Sequence, residues 1–157
     1  MKREVKRSVL VFGAGTIVML ASAGALARQV TCHATKPDEI AALFDRWNAS
    51  LATGNPATVD ANYAPDAVLL PTLSGEIRTT SKARIDYFTH FLTHKPSGRI
   101  DYREIKIGCD TAIDIGNYTF TLDDGRKVAA RYTFTYRRLN GKWLISSHHS
   151  SKKPEEE

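Results

Sequence analysis

The sequence predicts an α+β domain with three helices packed on one face of a curved antiparallel sheet, and three observations carry that expectation. First, turn residues separate strand-like runs in the second half of the chain. Asn140-Gly141 lies between Tyr132–Tyr136 and Trp143–Ile145, and Asp123-Asp124-Gly125 lies between Tyr118–Leu122 and Val128–Arg131. Asn-Gly readily takes positive φ at both positions, as a two-residue type I′ hairpin requires. Second, the runs are rich in aromatic and β-branched residues and alternate in character. Tyr132, Phe134 and Tyr136 share one face, and Arg131, Thr133, Thr135 and Arg137 the other. Third, the helix-period segments all come before this meander of Cys109 to His149, an order that lays helices over an antiparallel sheet.

From the start of the chain, Lys2, Arg3, Lys6 and Arg7 precede an apolar run from Val9 to Leu26 that closes on Ala25-Leu26-Ala27. This pattern predicts a secretory signal peptide over residues 1–27, cleaved after Ala27. The alternative is a retained anchor, for which the run is short and glycine-rich. Gln29-Val30-Thr31 lacks the small residues expected before a lipidated cysteine at Cys32. Arg28 to Glu157 then remain, one domain's worth of chain, in a periplasmic or secreted setting with no membrane contact. The leader holds four basic residues and one acid, so its removal takes the net charge from +5 to +2. The basic character is therefore partly the leader's, and nucleic-acid or anionic-membrane binding is not expected. An oxidising compartment favours pairing the two cysteines, Cys32 and Cys109, against the alternative of two separate buried thiols. Two distant cysteines with no CxxC and no spaced His pair form no metal site, and no cofactor is expected.

After an N-terminal segment of residues 28–36, Thr35-Lys36-Pro37-Asp38 opens the first helix, with a hydroxyl to cap it and a proline in its first turn. Ile40, Leu43, Phe44, Trp47 and Leu51 recur at helical spacing until Gly54. Asn55-Pro56 starts a short second helix carrying Val59 and Tyr63, broken by Ala64-Pro65-Asp66. Ala67–Leu70 reads as a buried strand. Thr79-Thr80-Ser81 offers caps for a third helix to about His94, with a stripe of Ile85, Phe88, Phe91 and Leu92. Ile100–Ile107 precedes the meander, the domain is drawn over residues 37–151, and a tail over residues 152–157 is expected to be disordered, beginning in effect after His149.

Several stretches carry a family resemblance: Ile40–Asn48 with Gly54-Asn55-Pro56, Tyr63–Pro71, Tyr87-Phe88 with Phe91-Leu92, and Gly141–Ile145 running into His148–Ser151. On these the chain resembles the nuclear transport factor 2-like cone fold, and within it small bacterial proteins similar to the association (hub) domain of calcium/calmodulin-dependent protein kinase II, with the SnoaL-like proteins nearby. The resemblance implies a homo-oligomer, dimer or larger, built through the sheet, with a pocket in each cone. It does not imply kinase activity, because no Gly-rich phosphate loop or catalytic-loop motif is present. The hub's pocket arginines fall on Asn117, Phe134 and Ser150 here, so its carboxylate-binding residues do not carry across.

His148 and His149 close the last strand with rings on opposite faces, and the family's last histidine matches His149. His149 is therefore a candidate pocket donor or general base, or else a sheet-end histidine. Arg131, in the middle of an aromatic strand, either meets an acid such as Asp66 or awaits an anionic ligand. Arg78 stands before the third helix, where it could serve a carboxylate. Trp47, Tyr63, Tyr87 and Tyr118 are candidate pocket walls, with core packing the alternative. Asp66 is a second candidate base, or a turn former after Ala64-Pro65. The expected function is an exported oligomerising domain with a pocket for a small acidic or hydrophobic molecule. The competing expectation is a cofactor-free SnoaL-like isomerase, cyclase or dehydratase in which a His or Asp base works with Arg131.

Overall fold

The computed structural model describes residues 32–154, so the expected leader lies outside the described residues. Helix α1 (Pro37–Leu51) begins with Pro37 and the acids Asp38 and Glu39 at its positive end. Its cap differs from the expectation. Thr35 turns back to the His33 carbonyl, and Glu39 Oε1 instead accepts from the Lys36 N–H at 3.1 Å. Gly54 follows with φ +65. Helix α2 (Pro56–Asp60) is capped by Asn55, whose side chain accepts from the Ala57 N–H at 3.0 Å.

Strand β1 (Tyr63–Leu70) starts four residues earlier than expected, taking Tyr63 out of the second helix. Its pairing slips between Tyr63 and Val68, the stretch that holds Pro65. A proline without an N–H is tolerated there because β1 is an edge strand. Helix α3 (Ser81–Phe91) is capped by Thr80 and runs into a 3-10 turn, Leu92–His94. Then come β2 (Ser97–Ile107), β3 (Thr111–Thr121), β4 (Lys127–Leu139) and β5 (Lys142–Lys152). The sheet order is β1-β5-β4-β3-β2, antiparallel throughout except that β1 joins β5 in parallel. Asn140 and Gly141 take φ +49 and +79, as the β4–β5 hairpin demands. Strand β5 continues past His149: Ser150, Ser151 and Lys152 pair with Tyr132, Arg131 and Ala130, so the expected tail begins within a paired strand.

Two bulges shape the curved sheet. In β2 the register shifts between Ile100 and Tyr102, and the carbonyl of Tyr102 presses on Gly116, where a Cβ would come to 1.9 Å. In β5 an extra residue, Ser146, lies between the pairs Tyr136–Ile145 and Thr135–Ser147. The concave face is aromatic. Phe44 and Trp47 of α1 pack on Tyr118, Tyr132, Phe134 and Phe120, with ring centroids 5.5–6.4 Å apart. Between Asp60 and Arg84 a buried ion pair at 2.6 Å ties α2 to α3, while Arg84 also donates to the carbonyls of Ala67 and Ala64 in β1. Cys32 is bonded to Cys109, anchoring the segment before α1 to the β2–β3 turn.

Candidate functional site

A narrow cavity opens between the sheet, α3 and the start of the β1–α3 loop. Leu69, Phe88, Phe91, Phe120, Leu122 and Val128 form its apolar walls, and Trp47, Tyr87 and Pro71 complete them. Leu73 stands at the mouth, 55% exposed. The free interior amounts to about 30 Å³, room for about two water molecules. Among the described residues no Asp, Glu, Lys or Arg lines it. Besides the polar edges of Trp47 and Tyr87, its polar content is Tyr118, His148, Ser150 and Thr72, and these four are joined to one another.

The hydrogen-bonded chain can be followed link by link. Trp47 Nε1–H donates to Tyr63 Oη at 3.1 Å, and Tyr63 Oη lies 2.9 Å from His148 Nδ1. The Tyr118 hydroxyl is spent on Ser150 and can only accept from His148, which assigns the imidazole proton to Nε2 and leaves Nδ1 to accept from the Tyr63 hydroxyl. Nε2 faces Tyr118 Oη at 3.4 Å, the longest link. The Tyr118 hydroxyl donates to Ser150 Oγ at 2.5 Å, and Ser150 meets the hydroxyl of Thr72. The His148 ring stacks on Phe134 at 4.0 Å and meets Trp47 edge-on at 5.3 Å. Burial, with the neighbouring His149 second, lowers its pKa to about 3, so the imidazole is neutral. Burial likewise pushes the Tyr63 and Tyr118 phenols up, leaving them as neutral hydroxyls.

The structure separates the candidate residues. Trp47, Tyr87 and Tyr118 line the cavity, and Tyr63 stands behind His148 as its partner. His149 does not reach the cavity: it is exposed on the convex face, and His148 faces inward. The cause is the bulge at Ser146. Trp143 and Ile145 point inward, so unbroken alternation would turn His149 in; the extra residue reverses the parity and aims His148 instead. Arg131 is also exposed on the convex face, opposite Asn117 and Ser151, where water satisfies its charge. Asp66 is exposed and paired with Arg137, not with Arg131, so it is no buried base. Arg78 lies outside the cone in a neighbouring cavity of about 260 Å³, together with Ser74, His90 and His94; Leu73, Tyr87 and Phe91 line both cavities.

A buried acid elsewhere in the cone escaped the sequence reading. Asp114 is 0% exposed, and its Oδ1 accepts from Tyr132 Oη at 2.8 Å and from Arg103 Nε at 3.1 Å. Burial raises its pKa, and Tyr132 and Arg103 oppose the rise. The signal was present: Asp114 falls two and four residues before Gly116 and Tyr118, on the inward alternation of β3. Arg103 had no such signal, because the β2 bulge decides its face. Among the described residues no group of three or more His, Cys, Asp or Glu side chains could hold a metal ion, and no helix is long and apolar enough to cross a membrane.

Comparison with known proteins gives the family. The profile of the calcium/calmodulin dependent protein kinase II association domain matches residues 36–154. The chain belongs to that family. A candidate association domain of the same kind from Xanthomonas campestris is 51% identical to this association domain, with a TM-score of 0.72 over 80% of this chain and 97% of that one. Two further structures share the fold. A nuclear transport factor 2-like protein of unknown function from Pseudomonas putida KT2440 is 19% identical (TM-score 0.65, 73% of this chain and 84% of that one). A candidate dehydratase from the same fold family, from Streptomyces avermitilis, is 11% identical (TM-score 0.66, 75% and 97%). No curated protein matches.

Proposed function

We propose that this association domain is an exported, self-associating binding module without kinase or other catalytic activity, whose aromatic cavity, together with the outer cavity that shares Leu73, Tyr87 and Phe91, takes a small, largely apolar molecule. One observation carries the reading: the cavity's histidine is neutral and has both ring nitrogens engaged, by Tyr63 and Tyr118. No carboxylate lines the cavity, so no side chain stands ready to take a proton from a bound molecule. The rival reading, a cofactor-free isomerase, cyclase or dehydratase, loses the bases considered for it, since His149 and Asp66 lie on outer surfaces. The convex sheet face favours self-association: Ile113, Ile115, Thr133 and Thr135 form a stretch without charge, and Ile113 is 37% exposed. The Cys32–Cys109 disulfide favours an oxidising compartment.

Native mass spectrometry on Arg28–Glu157 tests the assembly, comparing the natural sequence with Ile113→Glu combined with Thr135→Arg. The expected result is an oligomer that the double substitution reduces to monomers. A monomer in the natural sequence, or an oligomer indifferent to both substitutions, overturns self-association through the sheet.

A further inference from the structure

We infer that the molecule bound by this domain is a small amphipathic anion, with its apolar end in the aromatic cavity and its anionic head outside the cone on Arg78, assisted by His90 and His94. The inference rests on the binding-module reading and adds the chemistry of the ligand. Three observations lead to it.

The first is the geometry of the two cavities. The inner one is apolar and narrow, the outer one holds about 260 Å³, and Leu73, Tyr87 and Phe91 line both. A molecule spanning them would place only the tip of its apolar chain in the inner cavity, and the rest of the chain with the polar head in the outer one. Its passage would cover Leu73, an aliphatic side chain otherwise 55% exposed to water.

The second is the character of the outer cavity. Its polar side chains are Ser74, Arg78, His90, His94 and the phenol of Tyr87, and among the described residues no acid lines it. Neither histidine's ring makes a hydrogen bond among the described residues, so both retain N–H groups to donate whatever their charge. In the inner cavity, by contrast, Tyr118, His148, Ser150 and Thr72 are committed to one another.

The third is the state of Arg78. Its side chain is only 17% exposed, and its Nε is buried with no hydrogen-bond partner. An unmatched guanidinium N–H withdrawn from water is costly, and an acceptor in the cavity would satisfy it. One neighbour competes: Arg78 Nη2 meets Glu76 Oε2 at 3.0 Å and Ser74 Oγ at 3.4 Å. Glu76 is 70% exposed, so that pair is of the weak surface kind and yields to a better placed anion. Arg78 is held by its backbone, which exchanges two hydrogen bonds of 2.9 Å with Leu69, so its side chain can be altered without undoing the site.

The test is an NMR titration of isotope-labelled Arg28–Glu157 with hexanoate and with 1-hexanol, which share a chain and differ in the head. Hexanoate is expected to shift the amides of Leu73, Ser74, Arg78 and Phe91 and to bind about tenfold or more tightly than hexanol, the size of effect a charge-assisted hydrogen bond supplies. Arg78→Gln should bring hexanoate down to the level of hexanol and leave hexanol unchanged. Glu76→Gln, at an exposed position that does not threaten folding, should tighten hexanoate by removing its competitor. Equal binding of the two probes, or hexanoate indifferent to both substitutions, overturns the anionic head while leaving the apolar cavity as a binding site. Binding of neither probe, or shifts confined to the convex face, overturns the binding-module reading and the inference together.

Discussion

Replacing His148 with glutamine tests whether the cone holds its histidine neutral. The ring is 3% exposed, stacked on Phe134, and its pKa is lowered to about 3, chiefly by burial. In the unfolded chain the same imidazole titrates near its ordinary value of about 6.5. Between those two values the unfolded chain takes up a proton that the native state refuses. The sign follows: stability is highest above about pH 6.5 and falls on acidification by about 1.4 kcal/mol per pH unit, with the loss complete near pH 3. The full loss is about 5 kcal/mol, and between pH 7 and pH 4.5 it is about 2–3 kcal/mol. Urea denaturation of the natural sequence and of His148→Gln, at half-unit steps over that range, isolates this contribution because the carboxylates titrate in both. At pH 7 the variant should be the less stable, having lost the stacking on Phe134. By pH 4.5 the gap should narrow by about 2–3 kcal/mol. A gap that stays constant with pH would show that His148 takes up a proton in the folded protein, and would restore it as a candidate base.

Two further outcomes concern the frame around the site. Substituting both cysteines with serine removes a crosslink that spans 77 residues and should cost about 4 kcal/mol, read as a lower urea midpoint; an unchanged midpoint would mean that the segment before α1 contributes no constraint. Asp60→Asn leaves Arg84, 1% exposed, without its counter-charge and should cost about 3 kcal/mol or more, whereas Asp60→Leu with Arg84→Met should cost clearly less; equal losses would show that the packing, not the charge, matters at that joint.

The layering of the fold was legible in the sequence because it rests on period and punctuation. Asn140-Gly141, the stripe of Ile40, Leu43, Phe44 and Trp47, and the alternation of Tyr132, Phe134 and Tyr136 each encode an element directly. Where the expectation departed, irregular backbone was the cause. Tyr63 looked like the end of a helix because Ala64-Pro65-Asp66 has no strand signature, yet an edge strand next to β5 accommodates the proline in a stretch of slipped pairing. The convex placement of His149 and the concave placement of His148 depend on a single inserted residue, Ser146. Nothing in Ile145-Ser146-Ser147 marks it as a bulge, because a bulge is chosen by the partners β4 and β1 and not by local propensity. For Arg131, the mid-strand position suggested a buried charge, but the strand has a wet face as well as a dry one. The same alternation that assigned Tyr132 inward already assigned Arg131 outward.

The distribution of buried polar groups supports the proposal that a ligand's head stays outside the cone. Asp60 is matched by Arg84 and Ser81, and Asp114 by Arg103 and Tyr132. Tyr63, His148, Tyr118, Ser150 and Thr72 are matched in series. Each of these bonds joins a buried group to another part of the chain, and breaking one to receive a ligand would leave a donor or acceptor stranded in the aromatic interior, where Tyr136 Oη and Asp114 Oδ2 are already buried without a hydrogen bond among the described residues. A polar head that bonded to the series from Tyr63 to Thr72 would therefore have to replace a bond already made, at little net gain. At the rim the groups differ from that series, because Arg78 has a buried N–H without a hydrogen bond among the described residues and His90 and His94 are exposed. Under the proposed reading the interior selects by shape and apolarity, and discrimination by charge falls to the few side chains between β1 and the end of α3.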